Sequence, residues 1–147
     1  MVRYLPYLLG IIAGFGLSVQ VGMNAQLRRT LHNANTAALI SFLVGTVGLI
    51  ALLLVTRAEV PSRDSFATVP LWAWFGGLLG AFYVATSTVV ASQLGTTSLL
   101  ALALLGQLAT ALVIDHFGWL GLPEHPITLI RLAGVGLLGA GVWLITR

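Results

Sequence analysis

Few side chains in this sequence are equipped for catalysis, and those few are scattered. Three histidines (His32, His116, His125) and four carboxylates (Glu59, Asp64, Asp115, Glu124) are present, with no cysteine. The missing thiol removes disulfides, thiolate catalysis and cysteine-held metals. No Ser-His-Asp or Cys-His set is visible, and neither H-x-x-x-H nor H-E-x-x-H spacing occurs. Gly134, Gly136 and Gly139 form a literal G-x-G-x-x-G, but the nucleotide fingerprint needs a preceding strand and a later acid, and both are missing. Without a P-loop, ATP-driven pumping by this chain alone is not expected. The residues point to no catalytic centre, no metal, no cofactor and no enzyme.

Neutral hydrogen-bonding groups remain. Gln20 and Asn24 are four apart, so a helix would put them on one face. Ser41, Tyr83 and Gln107 follow in later segments. A carboxamide or phenol facing hydrocarbon is costly without a partner, so these groups should face another helix or a wet cavity. Gln20, Ser41, Tyr83 and Gln107 are the expected substrate-facing set. Asn24 sits nearer a helix end, where capping or loop contacts compete.

The elements that carry these groups are apolar throughout. Hydrophobic residues make up 58% of the 147-residue chain and charged residues 7%, against about 25% charged in soluble domains. A chain this small could not bury so much apolar surface in water. A bilayer crossing takes about 20 apolar residues. Five stretches qualify, Tyr4–Gln26, Ala34–Thr56, Leu71–Ser92, Thr97–Phe117 and Ile127–Thr146, and none has a charge near its middle. The expected fold is an all-α integral membrane protein, one five-helix transmembrane domain over residues 1–147. The first apolar run has no A-x-A-like site and exceeds a signal-peptide core of about 7–15 residues, so it reads as a retained helix.

All seven basic residues are arginines. They form no basic stripe, so the high isoelectric point does not signal nucleic acid. Five crossings put Arg3, Arg57, Arg63 and Arg131 on the N-terminal side and Arg28, Arg29 and Arg147 on the other. Orientation follows Lys/Arg excess in short loops, and four against three is almost no bias. Such a chain is expected to insert both ways up and to pair with an inverted copy of itself. A single orientation fixed by lipids or a partner is the alternative.

Small residues mark the packing faces. Gly45 belongs to a small-residue stripe on the second segment, Gly76 and Gly80 lie on the third, and Gly134 and Gly141 on the fifth; such spacing lets backbones approach closely. At the end of the fourth segment, Asp115 and His116 stand together. An acid beside a histidine suggests a proton relay; the competing reading is an interfacial acid paired with Arg131.

Taken in order, Gln20-x-Gly22-x-Asn24-x-x-Leu27-Arg28, Ala38-Leu39-Ile40-Ser41-Phe42-x-x-Gly45-Thr46, Trp74-x-x-Gly77-x-x-Gly80-Ala81-x-Tyr83, and Gly106-Gln107 followed by Asp115-His116-Phe117-Gly118 resemble the YdcZ-like family of the drug/metabolite transporter superfamily. The resemblance covers essentially the whole chain. It implies a multi-pass protein of the bacterial inner membrane, equivalent to half of a ten-helix inverted-repeat transporter. It supplies no substrate. The small multidrug exporters of that superfamily use a central glutamate on the first helix. This chain has no carboxylate there, and Gln20 is the nearest polar group. The function expected is secondary transport of a small molecule through a neutral cleft between antiparallel protomers. A non-transporting subunit that binds lipid or another protein is the alternative.

Overall fold

A computed structural model describes residues 4–147, so Arg3 of the charge count lies outside the described residues. The described chain is helical, with six α-helices. These are α1 (Leu5–Leu31), α2 (Ala34–Thr56), α3 (Arg63–Ala67), α4 (Gly76–Leu94), α5 (Thr96–Phe117) and α6 (Leu129–Ile145). Short 3₁₀ segments, Leu71–Phe75 and Trp119–Gly121, precede α4 and follow α5.

Local chemistry sets the ends. Pro6 lies in the first turn of α1, where a missing N–H costs nothing. Asn33 caps α2 by accepting the Thr36 N–H at 3.0 Å, and Thr128 caps α6 through the Arg131 N–H at 3.3 Å. Helix α2 closes with Arg57 in the left-handed region (φ 48°). The Ala58 N–H reaches the Leu53 carbonyl and the Arg57 N–H the Leu54 carbonyl, the paired bonds of a Schellman close. Within the polar loop beyond it, Ser62 caps the single short turn of α3, and Phe66 stacks near Trp74 at 6.2 Å.

Length and surface fit a bilayer. Helix α1 has 27 residues, about 40 Å at 1.5 Å per residue, which exceeds a hydrocarbon core of roughly 30 Å. Its C-terminal turn carries Arg28 and Arg29, placing charge where the helix leaves the apolar layer. Helix α6, with 17 residues, is the shortest of the long helices. Its end carries Trp143 with the Arg147 guanidinium 3.8 Å above the ring, an interfacial anchor pair. Large apolar residues such as Val47, Leu54, Phe82 and Leu137 face outward, whereas Asn24, Ser87 and Thr88 are among the buried residues. Water would reverse that arrangement; lipid permits it, because small and polar residues are what transmembrane helices turn toward one another.

The chain divides into two compact units, Met1–Val89 and Val90–Arg147. In the first, α1 packs along α2, and Phe42 of α2 reaches α4, its ring 3.3 Å from where a Cβ on Gly80 would stand. In the second, α5 packs along α6, with Leu105 against Gly139. Helices α4 and α5 are joined by Gly95 alone, at φ 82° and ψ 160°. Only glycine occupies that region comfortably. Gly95→Ala is expected to cost about 1–3 kcal/mol and to lower the detergent melting temperature. Gly106→Ala, in open space within α5, should leave it unchanged or raise it slightly. Equal melting of the two variants would refute the strained joint.

Candidate functional site

The polar residues of α1 and α2 come together in one groove. Its walls are Phe15, Val19 and Met23 of α1 with Ile40 and Val44 of α2, and its volume is 360 Å³. Three polar side chains, Gln20, Asn24 and Ser41, line it. The four-residue step places Gln20 and Asn24 on one face of α1, and the close packing of α1 on α2 presents Ser41 from the facing helix.

Several hydroxyls of the long helices are satisfied locally. The hydroxyls of Ser18, Thr46, Thr56, Ser87 and Thr88 all donate to carbonyls of their own helices, at 2.8–3.1 Å, which satisfies them inside an apolar medium. No hydrogen bond among the described residues engages the side chains of Gln20, Asn24 or Ser41. Gln20 is exposed and Ser41 half-buried, so the contrast matters most at Asn24. Asn24 is only 3% exposed and carries two donors and an acceptor oxygen.

Tyr83 is on α4, in the same unit, but does not line this groove. Its Oη is buried and has no hydrogen-bond partner among the described residues. Gln107 is an exposed residue of α5 in the second unit. Helix α2 also forms an apolar groove with α4, lined by Leu39, Phe42, Leu78 and Phe82, with Asn35 at one end.

The Asp115-His116 pair is built into a corner. Arg131 Nη2 donates to Asp115 Oδ2 at 3.2 Å, and Nη1 donates to the His125 carbonyl at 3.2 Å. The His125 N–H donates to the Asp115 carbonyl at 2.8 Å. His116 Nδ1 accepts the Ile127 N–H at 3.3 Å, which requires that this nitrogen carry no proton. Gly118 turns the chain at φ 59°, and a Cβ there would meet Glu124 Cγ at 2.7 Å. The acid and the histidine therefore each bind the returning strand of chain rather than each other. The ion pair is partly open, with Asp115 29% and Arg131 41% exposed; pairs this exposed contribute little to stability by themselves. Backbone bonds and the glycine turn hold the corner with it.

Several glycine faces carry no neighbour. A Cβ added at Gly45, Gly76, Gly134 or Gly141 would meet nothing within 4 Å, whereas Gly80 and Gly139 lie against Phe42 and Leu105. Among the described residues no group of three or more His, Asp or Glu side chains gathers.

Comparison with known proteins agrees with this architecture. The family model described as "Putative inner membrane exporter, YdcZ" matches residues 5–144. The inner membrane protein YdcZ of Escherichia coli (strain K12) is 29% identical over 137 residues, covering 93% of this chain and 91% of that protein. No solved structure matches the chain. The chain belongs to the YdcZ family and is a multi-pass protein of the inner membrane.

Proposed function

We propose that this member of the family is a secondary exporter of a small neutral molecule and works as an antiparallel homodimer, each chain supplying half of an inverted-repeat transporter. Gln20, Ser41, Tyr83 and Gln107 line the cleft between protomers and bind by hydrogen bonds. The observation that carries this reading is the groove between α1 and α2. It gathers Gln20, Ser41 and Asn24 without a charged lining residue, on a chain whose family model carries the description "Putative inner membrane exporter, YdcZ".

Two further features support the pairing. The arginines divide four against three between the two sides, too evenly to fix an orientation by charge. The uncovered faces at Gly45, Gly76, Gly134 and Gly141 suit close contact with another helix. Inverted-repeat transporters place substrate near the midplane, at the repeat interface. The buried, unpartnered phenol of Tyr83 is the kind of group such a cleft uses.

Purified protein in liposomes tests the function. Liposomes are loaded with a mixed extract of small neutral metabolites, and the retained solutes are read by mass spectrometry. At least one solute should leave protein-containing liposomes and stay in empty ones. Gln107→Ala, with folding intact, should slow that loss by roughly tenfold, as expected when one hydrogen bond to a buried ligand is removed. Identical contents in both liposome sets would favour a non-transporting membrane subunit. Full retention of transport in alanine variants of all four residues would sink the site.

A further inference from the structure

The proposed exporter reading names four residues and no ligand chemistry. Resting on that reading, we infer that Asn24 is the specificity-determining contact of the α1–α2 groove, and that its ligand is an uncharged molecule with a carboxamide-like head on an apolar body. Asn24 is 3% exposed, lines the groove and has no hydrogen-bond partner among the described residues. A carboxamide on a residue this covered normally finds a hydrogen-bond partner. The group that completes it must offer an acceptor to its NH₂ and a donor to its oxygen, side by side. Amides, lactams and imides present that pair in one plane.

The rest of the groove selects the body and the charge. Phe15, Val19, Ile40 and Val44 offer apolar walls to a ring or short chain. No Asp, Glu, Arg, Lys or His lines it, so an ion entering would lose hydration without gaining a counter-charge. The volume of 360 Å³ is at the small end of the range of roughly 300–1,000 Å³ for ligand pockets, enough for a single-ring amide. A lipid chain fits the walls but offers Asn24 nothing. A helix of a second copy has its backbone groups already paired.

Three probes of one shape test this: benzamide, benzoate and benzamidinium. Binding to the purified full-length chain in detergent is read by saturation-transfer NMR, with ethylbenzene as an apolar control. Benzamide should bind roughly tenfold or more tightly than either ion or ethylbenzene, since each of these leaves Asn24 mispaired. Asn24→Leu should lose that preference. Asn24→Asp, of the same shape, should transfer it to benzamidinium. Equal responses from benzamide and ethylbenzene would assign the groove to lipid chains and overturn the inference. So would benzamide binding that survives in a monodisperse Asn24→Leu protein. The comparison of probes on the unsubstituted chain decides the matter even where a variant does not fold. Binding does not need transport: benzamide bound by a chain inactive in liposomes would keep the site and end the exporter reading. Export undiminished by Asn24→Leu would do the reverse.

Discussion

About half of the molecules carrying one cysteine added after Arg147 should react with a membrane-impermeant maleimide on intact cells, the rest only after lysis, because a charge excess of one arginine does not fix orientation. The chain has no cysteine of its own, so the added thiol is the only reporter. The count behind this expectation is Arg3, Arg57, Arg63 and Arg131 against Arg28, Arg29 and Arg147. Acidic residues contribute little to such bias, so the Asp115–Arg131 ion pair leaves the count unchanged. Labelling of nearly all molecules from one side would exclude a homodimer of inverted copies. The half-transporter would then need an opposite-facing partner of different sequence.

Much of the architecture was legible because membrane helices are written in composition. Mean hydropathy and the absence of mid-segment charge reveal a crossing wherever it packs, since lipid asks only for length and apolarity. Helix ends are harder. Helix α1 runs past Gln26 through both arginines to Leu31, because Arg and Leu are good helix formers and nothing before His32 stops the turn. The single turn of α3 depends on a local Ser62 cap within a polar loop, too short to leave a periodic signal.

The site was legible in part, and the reason lies in the difference between a face and a depth. The four-residue step put Gln20 and Asn24 on one face. It did not tell that Asn24 would be almost completely covered, since burial depends on which residues of α2 lie opposite. Sequence position near the helix end favours capping or loop contacts for Asn24, and the structure adds that this residue lines the groove together with Gln20 and Ser41. At the α5–α6 corner the adjacent Asp115 and His116 suggested a relay, and pairing with Arg131 stood as the other reading. In the folded chain His116 accepts the Ile127 N–H, and the His125 N–H returns to the Asp115 carbonyl. Those bonds join residues eleven and ten apart through Pro123 and Pro126, a path that periodicity does not encode.

Two variants locked in opposite orientations should each be inactive and should restore export together, which is the largest effect the antiparallel arrangement predicts. The first carries Arg57→Gly and Arg63→Gln with three lysines added after Arg147, which shifts the positive excess to the side opposite the N-terminus. Glycine at position 57 also suits the left-handed cap at φ 48°, where a side chain is strained by about 1–2 kcal/mol. The second carries Arg29→Gln, Arg147→Gln and Glu59→Lys, which shifts the excess the other way. Its loss of the Arg147–Trp143 contact is small, about 0.5–1 kcal/mol at an exposed site. Each alone should label from one side only, and solute loss in liposomes made from its membranes should fall at least about tenfold, because a protomer without an inverted partner leaves the repeat interface unbuilt. Expressed together, a tag on one should retrieve the other, and solute loss should return. A monomer, or a parallel dimer, predicts full activity in each locked variant and no gain from mixing, and that result would dismantle the antiparallel model while leaving the α1–α2 groove and Asn24 to be judged on their own binding.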